Sequence, residues 1–259
     1  MKRYCLYLFI LIGISCSAEL KAQKNGTVYK GNDPAVRYTG RTLVSPDGSV
    51  AFDWVGTYLE TRFTGGKLSV KVSETGTSYY NVFVDGKLHK VVKVCGTDTL
   101  IHLVSGIDKR IHSLKIQKRS EGEFGKTTVH QFVLSGSGRL AEEPAVRTRH
   151  IEFIGNSLTC GYGTDGKHRD EPFLVETENC NLTFASMVAR YYDADYTLIA
   201  HSGRGAARNY GDSVRVSKVT MKDRMLNTFD EDLTHKWNFK EYRPDLVVIN
   251  LGSNDFSTE

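Results

Sequence analysis

A chain of 259 residues with 40% hydrophobic and 25% charged side chains has ordinary globular composition, enough for one large or two medium domains with a real core. Its formal net charge of +4 carries no basic surplus of the kind that grips nucleic acid, so nucleic acid is not an expected partner.

Residues 1–22 read as a secretory signal peptide: Lys2 and Arg3 precede an apolar run from Tyr4 to Ile14, and small residues lead to Leu20-Lys21-Ala22. The run is too short to span a bilayer comfortably. Gly13-Ile14-Ser15 loosely resembles a lipoprotein cleavage box, so a lipid anchor at Cys16 is the alternative to cleavage after Ala22. Either way the protein is expected to be exported, whether periplasmic, cell-surface or secreted. Beyond that segment stand Cys95, Cys160 and Cys180, an odd number that leaves at least one thiol unpaired. A Cys160–Cys180 bridge suits an oxidising compartment. Three free buried thiols are the equal alternative, since cysteine is among the most buried residue types.

Residues 28–136 read as all-β. Leu68, Val70 and Val72 alternate with Lys67, Ser69 and Lys71, and Tyr80, Val82 and Val84 alternate with Asn81 and Phe83 before Asp85-Gly86, a hairpin dipeptide. Leu114 and Ile116, then Phe132 and Leu134, follow the same period of two. Such short strands suggest a β-sandwich or jelly roll. Residues 137–147 read as a linker, with Gly138 following Gly136, and Pro144 and Glu142-Glu143 in no periodic order.

From 148 to 259 the character changes. Ile151–Ile154, Tyr196–Ala200 and Leu246–Leu251 read as strands, and Phe184–Tyr192 as a helix presenting Phe184, Met187, Val188 and Tyr191 on one face. Alternating β and α elements argue for a mostly parallel sheet covered by helices. Ligands of such sheets bind beyond the carboxyl ends of the strands. Three loops leave such ends, carrying Ser157, Ser202-Gly203-Arg204-Gly205 and Ser253-Asn254-Asp255. They supply a hydroxyl nucleophile, an approachable backbone N–H and a carboxamide donor, the parts needed for acyl transfer. Tyr162, Arg204, Arg208 and Asn209 flank these loops and are candidate sugar contacts. Gly161-x-Gly163-x-x-Gly166 matches the dinucleotide fingerprint in letters but opens no helix, so no dinucleotide is expected. No spacing of His, Cys, Asp and Glu suits a metal, and no cofactor is expected.

The strings GNSLTCGYG, AHSGRG and INLGSND resemble, in that order, the nucleophile, glycine and asparagine blocks of the SGNH (GDSL-type) hydrolases. A β-sandwich followed by an α/β domain is similar to carbohydrate esterase family 2. The resemblance implies a flavodoxin-like α/β domain in which Ser157 is the nucleophile and Gly203 and Asn254, with the Ser157 amide, form the oxyanion hole. It implies a carbohydrate O-acetyl esterase acting on acetylated xylan or related plant polysaccharides or oligosaccharides.

Two departures stand out. Asn156 occupies a position where the family most often has aspartate, keeping shape and hydrogen-bonding capacity without the charge. The family's base, the histidine of an Asp-x-x-His block, follows the asparagine block, whereas only Phe256 to Glu259 follow Asp255. The general-base histidine is therefore not expected within these residues, and the α/β domain is expected to be C-terminally incomplete. The alternative reading is an inactive or carbohydrate-binding remnant. Asp232-Leu233-Thr234-His235 has the base block's spacing but precedes the asparagine block, so it reads as a solvated connection, and His201 as a residue that packs or lines the cleft.

Overall fold

The computed structural model describes residues 26–142 and 145–257. The expected signal peptide and the anchor at Cys16 lie outside the described residues, as does Glu143-Pro144 of the expected linker.

The first half is all-β: β1 (Gly26–Lys30), β2 (Val36–Thr39), β3 (Leu43–Val44), β4 (Val50–Phe52), β5 (Tyr58–Val84), β6 (Lys87–Lys118), β7 (Thr127–Ser135) and β8 (Arg139–Leu140). These pair into one eight-stranded sheet. The long strands β5 and β6 fold the sheet on itself, since Ile116 faces Leu59 on one side and Val82 on the other. The period-two pattern is honoured: Leu68, Val70 and Val72 are buried with Phe63, Leu103, Leu114 and Phe132 in one core. The Asp85-Gly86 turn has positive φ at both residues, 50° and 75°, as a tight hairpin requires. The region expected to be a linker is partly sheet. Arg139 and Leu140 pair with Thr64 and Phe63, and Leu140 is buried. Two residues were too few for a strand period to register against the surrounding glycines.

The second half contains β9 (His150–Gly155), α1 (Ser157–Cys160), α2 (Phe184–Tyr191), β10 (Asp195–Ala200), α3 (Met221–Arg224) and β11 (Leu246–Ile249). The three strands form a parallel sheet in the order β10-β9-β11. α2 lies the other way round from the sequence expectation: it buries Ala185, Ser186 and Ala189, while Phe184, Met187, Val188 and Tyr191 are exposed. Small side chains let the helix axis approach the sheet closely, which a face of large side chains does not. Phe184 still reaches the edge of the Phe153 ring, with centroids 6.0 Å apart.

The halves share their cores. Val55 and Tyr58 of the β half pack with Ile151, Phe153, Tyr196 and Leu198, and Trp54 packs with Ile154, Ile199 and Met221. Polar ties reinforce the junction: Arg37 donates to Asp195 at 2.6 Å, the Tyr58 hydroxyl to Asp195 at 2.7 Å, and Gln117 to the Tyr196 hydroxyl at 2.6 Å.

Candidate active site

Strand register brings the three loops together. Gly155 of β9 pairs with Ala200 of β10, Ile154 pairs with Ile249 of β11, and Asn250 N–H donates to Ile154 C=O at 2.8 Å. The chain therefore leaves all three carboxyl ends at the same level.

Ser157 opens the short helix α1, half-exposed at its first residue. Asn156 is the N-cap: its side-chain oxygen accepts the Leu158 N–H at 3.2 Å, while its amide donates to Ser253 Oγ at 2.9 Å. One neutral carboxamide thus caps the nucleophile helix and ties it to the asparagine loop, a dual role that needs a donor as well as an acceptor. The helix stops at Gly161, where φ is +85° and a Cβ would stand 2.5 Å from Asn179 O, so glycine is required there.

The other loops lock on each other in the same way. Asn254, nearly buried, donates from its side chain to Arg204 C=O at 2.8 Å and keeps a second amide hydrogen. Asp255 accepts three successive backbone N–H groups, from Ala206, Ala207 and Arg208, at 2.9, 2.6 and 3.0 Å. Those bonds hold its carboxyl below the ordinary carboxylate range against the opposing effect of burial. Gly205 sits in the closest passage, where a Cβ would lie 1.9 Å from Arg208 O. Within this frame the N–H groups of Ser157 and Gly203 donate no hydrogen bond among the described residues. Ser157, the two unclaimed N–H groups and the Asn254 amide thus sit on three loops that leave the sheet at one level.

The β half reaches into this region through Glu121, which sequence reasoning missed. Its carboxylate is fully buried and accepts the Ser202 N–H at 2.5 Å and the Cys160 S–H at 3.3 Å, gripping the glycine loop and the nucleophile helix at once. Beside it Glu178 accepts the Glu121 N–H at 3.0 Å, and its carboxyl is held far above the ordinary range by burial and then by the Glu121 charge. Phe124, also of the β half, joins an aromatic row with Phe173 and Tyr162; the last two rings stack 3.7 Å apart. No period or motif marks Glu121 or Phe124, because both lie in a turn between strands.

Candidate residues divide on this geometry. Tyr162 keeps an exposed face beside the nucleophile helix. Arg204 offers its carbonyl to Asn254, and Arg208 bonds the Ser257 carbonyl. Asn209 is corrected from sugar contact to scaffold: it is buried, accepts Gly205 N–H at 3.3 Å and donates to Val219 C=O at 2.9 Å, so its side chain is spent on closing its own loop. His201 is buried, with Nδ1 2.7 Å from Asp230 Oδ2 and Nε2 3.6 Å from Glu123. Burial opposes its charge but the Asp230 carboxylate prevails and raises its pKa. It makes no hydrogen bond to Ser157. His235 lies in an exposed loop bonded to Asp232 at 2.6 Å. Cys160, Cys180 and Cys95 are all free thiols, so the bridge alternative falls away; Cys180 donates to Lys118 C=O at 3.4 Å instead.

Among the described residues two groups have metal-ligand proximity, Glu121-Cys160-Glu178 and His201-Asp230-Glu231. In the first the thiol is already donated to Glu121, and burial with the adjacent carboxylates pushes it well above its usual range, away from the thiolate a metal takes. In the second Arg224 donates to Asp230 at 3.0 Å and Glu231 at 2.6 Å, supplying the cation itself.

Residues 38–144 match the family model for the carbohydrate esterase 2 N-terminal domain, and residues 151–259 that for GDSL-like lipase/acylhydrolase. The chain is 35% identical over 227 residues to the cellulase/esterase CelE of Acetivibrio thermocellus, covering 88% of this chain and 27% of that protein. It is 33% identical over 226 residues to an acetylxylan esterase / glucomannan deacetylase of Cellvibrio japonicus, covering 85% of this chain and 61% of that protein. The chain thus spans less than two thirds of the curated relatives it matches. An active-site mutant of a family two carbohydrate esterase from Clostridium thermocellum superposes with a TM-score of 0.81 at 34% identity, covering 87% of this chain and 68% of that one.

Proposed function

From the chain's membership of carbohydrate esterase family 2, we propose that it removes acetyl groups from xylan or a related plant polysaccharide through an acetyl-Ser157 intermediate. The observation that carries this reading is the strand register that puts half-exposed Ser157, Gly203 and Asn254 on three loops leaving the sheet at one level, with the Ser157 and Gly203 N–H groups and one Asn254 amide hydrogen unclaimed among the described residues. Ser157 Oγ attacks the acetyl carbonyl as its proton passes to a base, and the oxyanion that forms is held by those three donors. Collapse of the adduct releases the sugar hydroxyl, which takes the proton back. Water or a second hydroxyl then cleaves the acetyl-serine. No cofactor enters this sequence. The exposed Tyr162 ring, backed by Phe173, suits the apolar face of a sugar.

The base in this reading is the histidine of an Asp-x-x-His block on an element covering β11. Two features support it: Ser157 Oγ has no imidazole partner among the described residues, and Leu246, Val247 and Ile249 of β11 expose apolar surface at 53, 45 and 65%. The β half in this reading is a jelly roll, and the protein is exported. The absence of an imidazole partner for Ser157 Oγ among the described residues also favours a second reading, a site that binds acetylated saccharide without cleaving it. Acetate release from an acetylated xylo-oligosaccharide tests both. Release that Ser157→Ala abolishes supports the esterase; equal release from the two proteins removes Ser157 from the mechanism, and binding without release favours the second reading.

A further inference from the structure

A cavity of about 480 Å³ opens where the two halves meet, between Phe83 of β5, Lys115 of β6, Arg147 and Arg190 of α2. Arg147 precedes β9 and Ser157 follows it, so the cavity and the nucleophile lie toward opposite ends of that strand.

The charges around this cavity are unevenly matched. Glu60 is bonded by both Arg37 and Arg147. Asp195 is bonded by the same two arginines and by Tyr58, and Asp193 by Arg147. Those three acids are therefore occupied. Among the described residues two cations have no acid within ion-pair distance. The Lys115 ammonium makes no hydrogen bond or ion pair among the described residues and rests 3.6 Å from the Tyr58 ring centroid and 5.0 Å from that of Tyr196. Among the described residues Arg190 has one partner, the neutral Asn181 side chain at 2.9 Å. Burial lowers Lys115 to about 8, which still leaves the amine protonated at neutral pH. A desolvated ammonium that rests on ring faces, with Glu60 and Asp195 attracting it only from beyond ion-pair distance, gains from an anion that reaches it, and a guanidinium on the same wall offers a planar fork to a carboxylate. Phe83 adds an apolar surface against which a ring can lie.

We propose that this cavity binds a sugar acid, its carboxylate between Lys115 and Arg190 and its ring against Phe83. The sugar part of the proposal rests on the saccharide reading of the catalytic site; the carboxylate part rests on the two unmatched cations alone. A uronic acid residue on a polysaccharide chain meets both requirements, and the site would hold such a chain at a point remote from the ester being cleaved.

The test is a titration of the full chain with D-glucuronate, D-glucose and acetate by calorimetry or by chemical-shift changes. Glucuronate is expected to bind with a Kd of about 1 mM, and glucose and acetate at least ~10-fold more weakly. Lys115→Met, which puts an apolar group of similar length against the tyrosines in place of the ammonium, and Arg190→Gln, on an exposed side chain, should each weaken glucuronate by ~10-fold with the melting temperature preserved. Ser157→Ala should bind glucuronate as the parent does, which separates failure here from failure of the esterase reading. Glucose binding as well as glucuronate, acetate binding as well as glucuronate, or an affinity untouched in both cavity variants overturns the proposal.

Discussion

Replacing Glu121 with alanine removes the one side chain that grips the glycine loop and the nucleophile helix together. The Ser202 N–H, 2.5 Å from the carboxylate, loses its acceptor, and the Cys160 S–H loses its own at 3.3 Å. An unsatisfied N–H in a water-poor setting costs about 1 to 3 kcal/mol. The void left by a fully buried side chain adds a cavity cost, which for comparable truncations brings the total to about 2 to 5 kcal/mol. One effect opposes this: Glu178 no longer faces a neighbouring charge. The balance is a loss of about 2 to 4 kcal/mol, which moves a urea midpoint by about 1 M at a slope of ~3 kcal/mol/M. Glu121→Gln keeps the shape, retains one oxygen for Ser202 and sheds the charge, so it should stay within ~1 kcal/mol of the parent. Urea unfolding followed by circular dichroism gives the order, and hydrogen exchange at the Ser202 amide shows whether the loop is what loosens. An alanine variant as stable as the parent, or a glutamine variant as damaged as the alanine one, would refute the clamp.

Gly205→Ala forces a methyl to within 1.9 Å of Arg208 O and 2.5 Å of Asp255 Oδ2, so amide protection at Ala206, Ala207 and Arg208 should collapse with a stability loss above ~2 kcal/mol; unchanged protection would mean the loop has slack. Asp53 is pushed up to about 7 by burial and then by the Asp230 carboxylate. The folded state therefore keeps a proton that the unfolded chain releases near pH 4, and stability falls as pH rises between about 4 and 7. Asp53→Asn should flatten that slope in a pH series of thermal melts, and an unaltered slope would place its origin elsewhere. Of Cys95, Cys160 and Cys180, a thiol reagent should label Cys95 alone in the folded protein, since the other two are buried and burial raises Cys180 to about 12; rapid labelling of either would contradict their packing.

Sequence periodicity and turn chemistry carried the strands and the three loops, because Gly155, Gly203 and Gly205 mark where the chain leaves the strands and Gly161 where α1 stops. Register then did what no local pattern states: Gly155 against Ala200 and Ile154 against Ile249 put three loops, separated by about fifty residues each, at one level. The α2 face was misread because both of its sides are apolar, and the choice between them depends on how closely the helix seats against a sheet invisible in the helix's own sequence. Asn209 was misread for a related reason, since proximity in sequence to Gly203 does not reveal that Gly205 and Val219 already claim its side chain.

Glu121 marks the deeper limit. It acts across 81 residues to Ser202 and 39 to Cys160, from a turn whose composition is that of any exposed loop. Glu121 is fully buried, and Trp54, Val55 and Tyr58 carry the β half into the core of the α/β half. The β half is therefore more than an appended module. Cys160 and Ala200 share a core with Val55 and Tyr58, and Leu251 packs against the core that holds Trp54 and Ile154, so a change at the junction reaches the three loops both through Glu121 and through these direct contacts.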